Sequence, residues 1–218
     1  MISRLQQHLT DIYQAGAGYD VRDYLITDPR LAKCIGEDAM LTDSKETLLI
    51  AEDDDGLALS LFLDAELLER LESSDPLGRL RAELLDDLWK VVEGVSHFNC
   101  VVWKASQDRN VSLLELELQA EIDKFVSTML LAVSQGRCDM LDHVHGWLFD
   151  DVSYHDELNA EQLDRYRAAN EYASRFCHAL RRRLVEDVER VLGELRRFYR
   201  LPMTDKISHI HSQALSAI

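Results

Sequence analysis

Two ionisable residues in the segment 88–103 have a spacing that could support chemistry. The segment reads LWKVVEGVSHFNCVVW, which is mostly apolar and predicts a central, largely buried helix. Glu93 and His97 stand one helical turn apart within it. A carboxylate and an imidazole at that spacing could share a proton or bind a metal ion together.

The orientation of this pair decides between two interpretations. At about 100° per residue, Glu93 and His97 fall opposite the apolar face of the helix. Such an arc is usually solvent-exposed, which favours a surface pair. The alternative requires the arc to line a cleft, where both side chains could converge on a metal or a substrate. The polar arc comprises Glu83, Asp86, Lys90, Glu93, His97 and Lys104.

The next helix carries the candidates for a third metal ligand. If the helices 88–104 and 112–135 form an antiparallel pair, His97 lies level with Glu121. Helical bundles hold di-iron sites with carboxylates and imidazoles from neighbouring helices, although those sites use Glu-x-x-His, which this sequence lacks. Glu115 is expected in a capping box with Ser112, and Glu117 in a salt-bridged edge with Glu121 and Lys124. Glu121 is therefore the candidate left open.

Three further histidines could complete a metal site. His143 and His145 lie in DHVH, and His155 precedes an aspartate in a predicted loop. Adjacent His and Asp residues occur in helical metal-dependent phosphohydrolases. His143 and His145 would point about 200° apart on a helix, however, so surface or rim positions are favoured for all three. A divalent metal of unknown identity is the cofactor that this sequence allows.

Polar residues also interrupt the apolar faces of two predicted helices. Buried polar groups need partners, so a hydrogen-bonded cluster between the central helix and the helix predicted at 159–200 is one interpretation. The favoured alternative is that the small Ala173 and Ser174 permit close packing there and that Asn170 caps a neighbour. The residues concerned are Ser96, Asn99, Asn170, Ser174 and Arg181.

The elements that must position these residues are mostly helical. Two apolar runs flank an Asp-Gly turn and predict a β-hairpin over 47–63. We therefore expect a mainly α fold, a helical bundle with a small N-terminal α/β lobe containing a two-stranded β-hairpin. The lobe would span 1–73 and the bundle 74–218, joined as one continuous domain. Helices are predicted at 2–14, 75–104, 112–135, 140–149, 159–200 and 207–218, and a possible strand at 21–26.

The charge balance limits the partners. With 40 acidic and 24 basic residues the net charge is −16, which disfavours binding to phosphate backbones. An acidic DNA mimic is a remote alternative. The four cysteines form no CxxC pair, which fits a reducing compartment, and no segment reaches the ~18 apolar residues of a membrane span. We expect a soluble cytoplasmic protein with no nucleic-acid or membrane partner.

The function predicted from these features is an interaction or scaffold protein without catalysis. A protein partner, or a homodimer formed through the long helices, would be its ligand. No Gly-rich phosphate loop, GxSxG or HExxH motif supports another chemistry. The alternative is a metal-dependent hydrolase or a metal-binding helical protein that uses Glu93, His97 and Glu121 with a histidine from 143–155.

Overall fold

Helices make up most of the chain, as the sequence predicts. A computed structural model describes residues 1–36, 41, 43–53, 56–150 and 152–216. Within these residues, no helix combines the length and apolar character needed to cross a membrane. The helices are α1 (Ile2–Tyr13), α2 (Pro29–Gly36), α3 (Ala65–Ser74), α4 (Leu85–Ala105), α5 (Leu113–Ser134), α6 (Cys138–Leu141), α7 (Val144–Phe149), α8 (Ala160–Leu180), α9 (Arg183–Glu186), α10 (Val188–Arg200) and α11 (Met203–Ser216), with 3₁₀ turns at Val21–Tyr24 and Ala82–Leu84.

The predicted hairpin is confirmed and forms part of a three-stranded sheet. Strands β2 (Glu46–Asp53) and β3 (Gly56–Leu63) are antiparallel, and their turn residues 54–55 lie outside the described residues. A short strand, β1 (Leu25–Ile26), runs parallel to the other edge of β3, giving the order β1-β3-β2. The strand expected at 21–26 is thus mostly the 3₁₀ turn, and only its last two residues join the sheet.

Helix α5 occupies the centre of the bundle. It packs between α4 and α8 and also contacts α1, α6, α7 and α9. Three hydrogen bonds at successive levels show that α4 and α5 are antiparallel, as predicted. They join Trp89 Nε1 to Thr128 Oγ1 at 2.9 Å, Ser96 Oγ to Asp123 Oδ2 at 2.6 Å, and Lys104 Nζ to Glu115 Oε1 at 2.7 Å. Because neighbours surround it, α5 buries charged as well as apolar side chains.

Two predicted helix boundaries are wrong. The Ser-Asp-Pro sequence at 74–76 ends α3 instead of starting the next helix. Asp75 adopts a left-handed conformation (φ 38°) and its N–H bonds to the Leu71 carbonyl, which closes α3. Helix α4 therefore begins only at Leu85.

The long helix expected over 159–200 is divided into α8, α9 and α10. Asp187 leaves the helical conformation (φ −150°, ψ 74°), and its side chain accepts a hydrogen bond from the N–H of Arg190. Aspartate is a preferred N-terminal cap, so it starts a new helix at this point.

The polar arc of α4 faces solvent only near the start of the helix, which corrects the expectation of a solvent face. The Asp86 side chain is 78 % exposed, whereas the His97 side chain is 10 % exposed and that of Lys104 only 2 %. The sheet covers the middle of the arc because Gly94 lets it approach. A Cβ atom at Gly94 would lie 2.8 Å from Glu46 Oε2 and 2.9 Å from Leu61 Cδ1.

The five residues of the predicted polar cluster are divided among several neighbours, because α5 lies between α4 and α8. Ser96 bonds to Asp123 on α5, and Asn99 Oδ1 accepts a hydrogen bond from Gln6 on α1 at 3.1 Å. On α8, Asn170 is half-buried, the carbonyl oxygen of Ser174 lies 3.0 Å from His145 Nε2, and Arg181 is exposed.

A buried charge cluster attaches the C-terminal helix to α5. Lys206 of α11 is fully buried, and its ammonium lies 2.9 Å from Glu115 Oε1, which also accepts from Lys104. Glu115 is thus used as a buried ion-pair partner. Ser112 still caps α5 by accepting from the Glu115 N–H, as predicted, but the carboxylate of Glu115 does not complete a capping box.

The approach of the sheet to α4 gives a testable prediction. Gly-to-Ala changes inside helices usually stabilise a protein by about 0.5–1 kcal/mol. We expect Gly193→Ala in α10 to do so, since the nearest atom to its new Cβ lies at 3.9 Å. Gly94→Ala should instead lower the free energy of unfolding by about 1–3 kcal/mol through overpacking. Urea denaturation of both variants checks this, and equal stabilisation by the two changes would contradict the packing described.

Candidate metal centre

A pocket of about 630 Å³ opens beside the central helices. Its lining comes from β2 and the residues before it, from α4, from the start of α5, and from α8 with the loop before it. Ionisable side chains from four elements meet in it: Glu46 from β2, Glu93 and His97 from α4, Glu117 from α5, and Arg165 from α8. Glu93 and His97 therefore do line a cleft, which is the condition for the metal interpretation.

Three of these side chains offer ligand atoms close together. One atom each from Glu93, His97 and Glu117 lies within 4.8 Å of the others. Nε2 of His97 is 3.6 Å from Oε2 of Glu117, and it is buried without a hydrogen-bond partner. Ligands of a tetrahedral zinc ion lie about 3.4 Å apart, given metal–ligand distances near 2.1 Å. Side-chain movements of about 1 Å would complete the coordination.

A buried lysine fixes one side of this group. Nζ of Lys124 lies 2.7 Å from Glu93 Oε2 and 2.8 Å from Glu121 Oε1. Burial opposes its charge, but the carboxylates of Glu121 and Glu93 raise the pKa of Lys124 well above its usual range. A carboxylate has two oxygens, so Glu93 can keep Lys124 on one oxygen and offer the other to an ion.

The titration behaviour of the site reflects crowded negative charge. Burial, then the charge of Glu93, raises the pKa of Glu46 to about 8. Burial opposes protonation of His97, but the adjacent carboxylates of Glu117, Glu46 and Glu93 outweigh it and raise the pKa of His97 to about 9. Burial also acts against ionisation of Glu93, yet the charges of Lys124 and His97 lower its pKa below the ordinary value.

The structure replaces Glu121 with Glu117 as the neighbour of His97. Glu121 lies one turn further along α5, where Lys124 takes its carboxylate at 2.8 Å. The Glu121–Lys124 contact of the predicted salt-bridged edge is present. Glu117, which was expected in the same edge, instead faces His97 and Arg165. The exposed His155 lines the pocket away from the ligand group.

The other two predicted histidines lie outside the pocket lining. His145 packs against Phe149, and its Nε2 lies 3.0 Å from the carbonyl oxygen of Ser174. His143 stacks on Trp147 with ring centroids 5.3 Å apart. Both side chains therefore have structural contacts of their own.

Sequence reasoning missed Glu46 and Arg165 altogether. Glu46 is the first residue of β2 and Arg165 lies in the second turn of α8, so both reach the site only through tertiary packing. The signal for Glu117 was available, since it shares the LELELQAE stretch with Glu121.

Comparisons with models of known families, with curated proteins and with solved structures found no match for this chain. The geometry of the site is therefore the basis for assigning a function.

The raised pKa of Glu46 predicts a specific pH dependence of stability. The unfolded chain loses this proton near the ordinary pKa of 4.5, whereas the folded, metal-free protein keeps it until about pH 8. Folding therefore becomes less favourable as the pH rises through this window and levels off above it. His97, whose pKa is also raised by folding, lowers the stability further between pH 6.5 and about pH 9.

Glu46→Gln should remove the first part of this loss. Since one pKa unit corresponds to 1.36 kcal/mol and Glu46 is partly solvent-exposed, we expect the variant to gain roughly 1–3 kcal/mol over wild type between pH 5 and pH 9. Urea denaturation in the presence of a chelator measures this. Glu52→Gln, at an exposed position on the same strand, is the matched control and should follow the wild-type profile. Identical pH profiles for wild type and Glu46→Gln would refute the burial argument.

Proposed function

We propose that this protein binds one divalent transition-metal ion through Glu93, His97 and Glu117. The observation that carries the proposal is the convergence of three ligand atoms from two helices within 4.8 Å, around a buried His97 Nε2 that has no hydrogen-bond partner. The pocket above them gives an ion and a substrate access.

The donor set indicates the class of ion. One imidazole nitrogen with carboxylate oxygens suits Zn²⁺, Mn²⁺, Fe²⁺ or Co²⁺. Structural zinc sites are usually closed by four protein ligands, whereas catalytic sites have three and leave a position for water or substrate. Three ligands beneath a pocket correspond to the second kind. Hydrolysis is the reaction class that such a site supports, with Glu46 as the adjacent proton donor or acceptor.

The charge of the site supports a dication. Around the candidate ligands, four carboxylates, those of Glu46, Glu93, Glu117 and Glu121, face two cations, Lys124 and Arg165. Lys90 also lines the pocket, but its charge is paired with that of Asp86. Two negative charges are left when His97 is neutral, as metal binding requires. In the metal-free protein, protons on His97 and Glu46 neutralise these two negative charges instead of a metal ion. Metal binding should therefore release protons.

The interaction or scaffold role expected from the sequence stays a prediction, as does the acidic DNA mimic. The structure gives less support to a homodimer formed through long helices. The longest predicted helix, over 159–200, is interrupted before α9 and again at Asp187.

Calorimetric titration with Zn²⁺ and Mn²⁺ tests the proposal. We expect wild type to bind one ion and His97→Ala or Glu117→Gln to bind at least about 100-fold more weakly, since outer-shell changes alone cost 10–100-fold. The heat should vary with the ionisation enthalpy of the buffer because protons are released.

Two matched controls separate this site from a generally acidic surface. Glu121→Gln removes a carboxylate one turn from Glu117, and His155→Ala removes another histidine of the pocket lining. His155→Ala should bind like wild type, and Glu121→Gln should lose far less than Glu117→Gln. Wild-type affinity in both His97→Ala and Glu117→Gln would overturn the assignment.

A further inference from the structure

The pocket over the proposed metal site has an apolar side. Leu48 and Ile50 of β2 and Leu113 and Leu116 of α5 contribute to its lining. Leu116 belongs to a small core cluster and Leu48 packs against it, which holds this side in place. Ile50 is 45 % exposed and Leu113 is 56 % exposed, so the apolar side continues toward the solvent.

The lining from α8 offers a cation with an unused donor. Nε of Arg165 is buried without a hydrogen-bond partner, and it lies 3.9 Å from Glu117 Oε1, beyond hydrogen-bond distance. The guanidinium carbon lies 5.5 Å from the ring centroid of Tyr166. Leaving a buried donor unsatisfied is costly, and a guanidinium fits carboxylate and phosphate groups through paired hydrogen bonds.

Metal binding would free this arginine further. The carboxylate that Arg165 faces belongs to Glu117, a ligand in the proposed site. An ion on Glu117 neutralises that carboxylate, which weakens its attraction for the guanidinium. Arg165 would then be a cation beside the open coordination position.

We infer that the pocket binds an amphiphilic organic anion, with its acidic head group on Arg165 and its aliphatic chain along Leu48, Ile50, Leu113 and Leu116. The inference rests on the proposed function in that the head group lies beside the metal ion. The pocket volume of about 630 Å³ lies within the range of small-molecule sites. The head group is a carboxylate or a phosphate ester, which share the chemistry that Arg165 recognises.

Ligand titrations of the zinc-loaded, full-length protein test this inference. The probes are hexanoate and hexyl phosphate, with acetate lacking the chain and 1-hexanol lacking the charge. Hexanoate or hexyl phosphate should bind at least about tenfold more tightly than either truncated probe, since each buried methylene and each charged hydrogen bond contributes to affinity. The tighter of the two identifies the head group.

Arg165→Gln should weaken binding of the better probe by about tenfold or more, while it still binds zinc. Arg167→Gln is the matched control, because Arg167 is exposed on the same helix and does not line the pocket. It should bind both zinc and the probe like wild type.

The outcomes separate this inference from the metal proposal. If zinc binds but the protein shows no preference for the six-carbon anions, the inference is overturned and the metal proposal is not. The same holds if Arg165→Gln binds the probe as tightly as wild type does. If wild type binds no metal, the metal proposal fails, and the same titrations of the metal-free protein decide the inference. Loss of probe affinity confined to Arg165→Gln would then still support it.

Discussion

The structure depends on the pairing of charges buried on α5. Because this helix is surrounded by other elements, its buried carboxylates lose most of their solvation and need partners from neighbours. Lys104 and Lys206 satisfy Glu115, and hydrogen bonds from Ser96 and Gln119 satisfy Asp123. These contacts fix α4 and α11 on α5. A buried pair contributes little net stability, but removing one partner leaves an uncompensated charge and is strongly destabilising.

Glu117 is satisfied less completely than these two carboxylates. Its contacts to His97 at 3.6 Å and to Arg165 at 3.9 Å are longer than hydrogen bonds. Both contacts lie at the pocket, and the partnerless Oε2 of Glu46 is buried close by. The carboxylates of Glu115 and Asp123 are therefore closely paired, whereas Glu117, which lines the pocket, keeps unmet coordination capacity where a ligand can enter. This contrast is what makes the site a candidate for binding.

The sequence predicts local features of this arrangement well. The hairpin, the antiparallel α4–α5 pair and the cap at Ser112 follow from turn residues, apolar periodicity and capping signals. The sequence does not predict the features that depend on tertiary contacts. A helical wheel places His97 opposite the apolar face, but it cannot show that the sheet covers that arc beside Gly94. Spacing correctly pairs Glu121 with Lys124, but it cannot show that Glu117 leaves this edge and faces His97.

Anomalous diffraction at the zinc absorption edge, from crystals grown with equimolar zinc, shows directly whether these three residues bind an ion. We expect one strong peak about 2.1 Å from His97 Nε2, with oxygens of Glu93 and Glu117 at similar distances. Lys124 should remain on Glu93 and Glu121. Zinc found only at exposed histidines such as His155 or His211, with His97 still facing Glu117 at its present distance, would contradict the account.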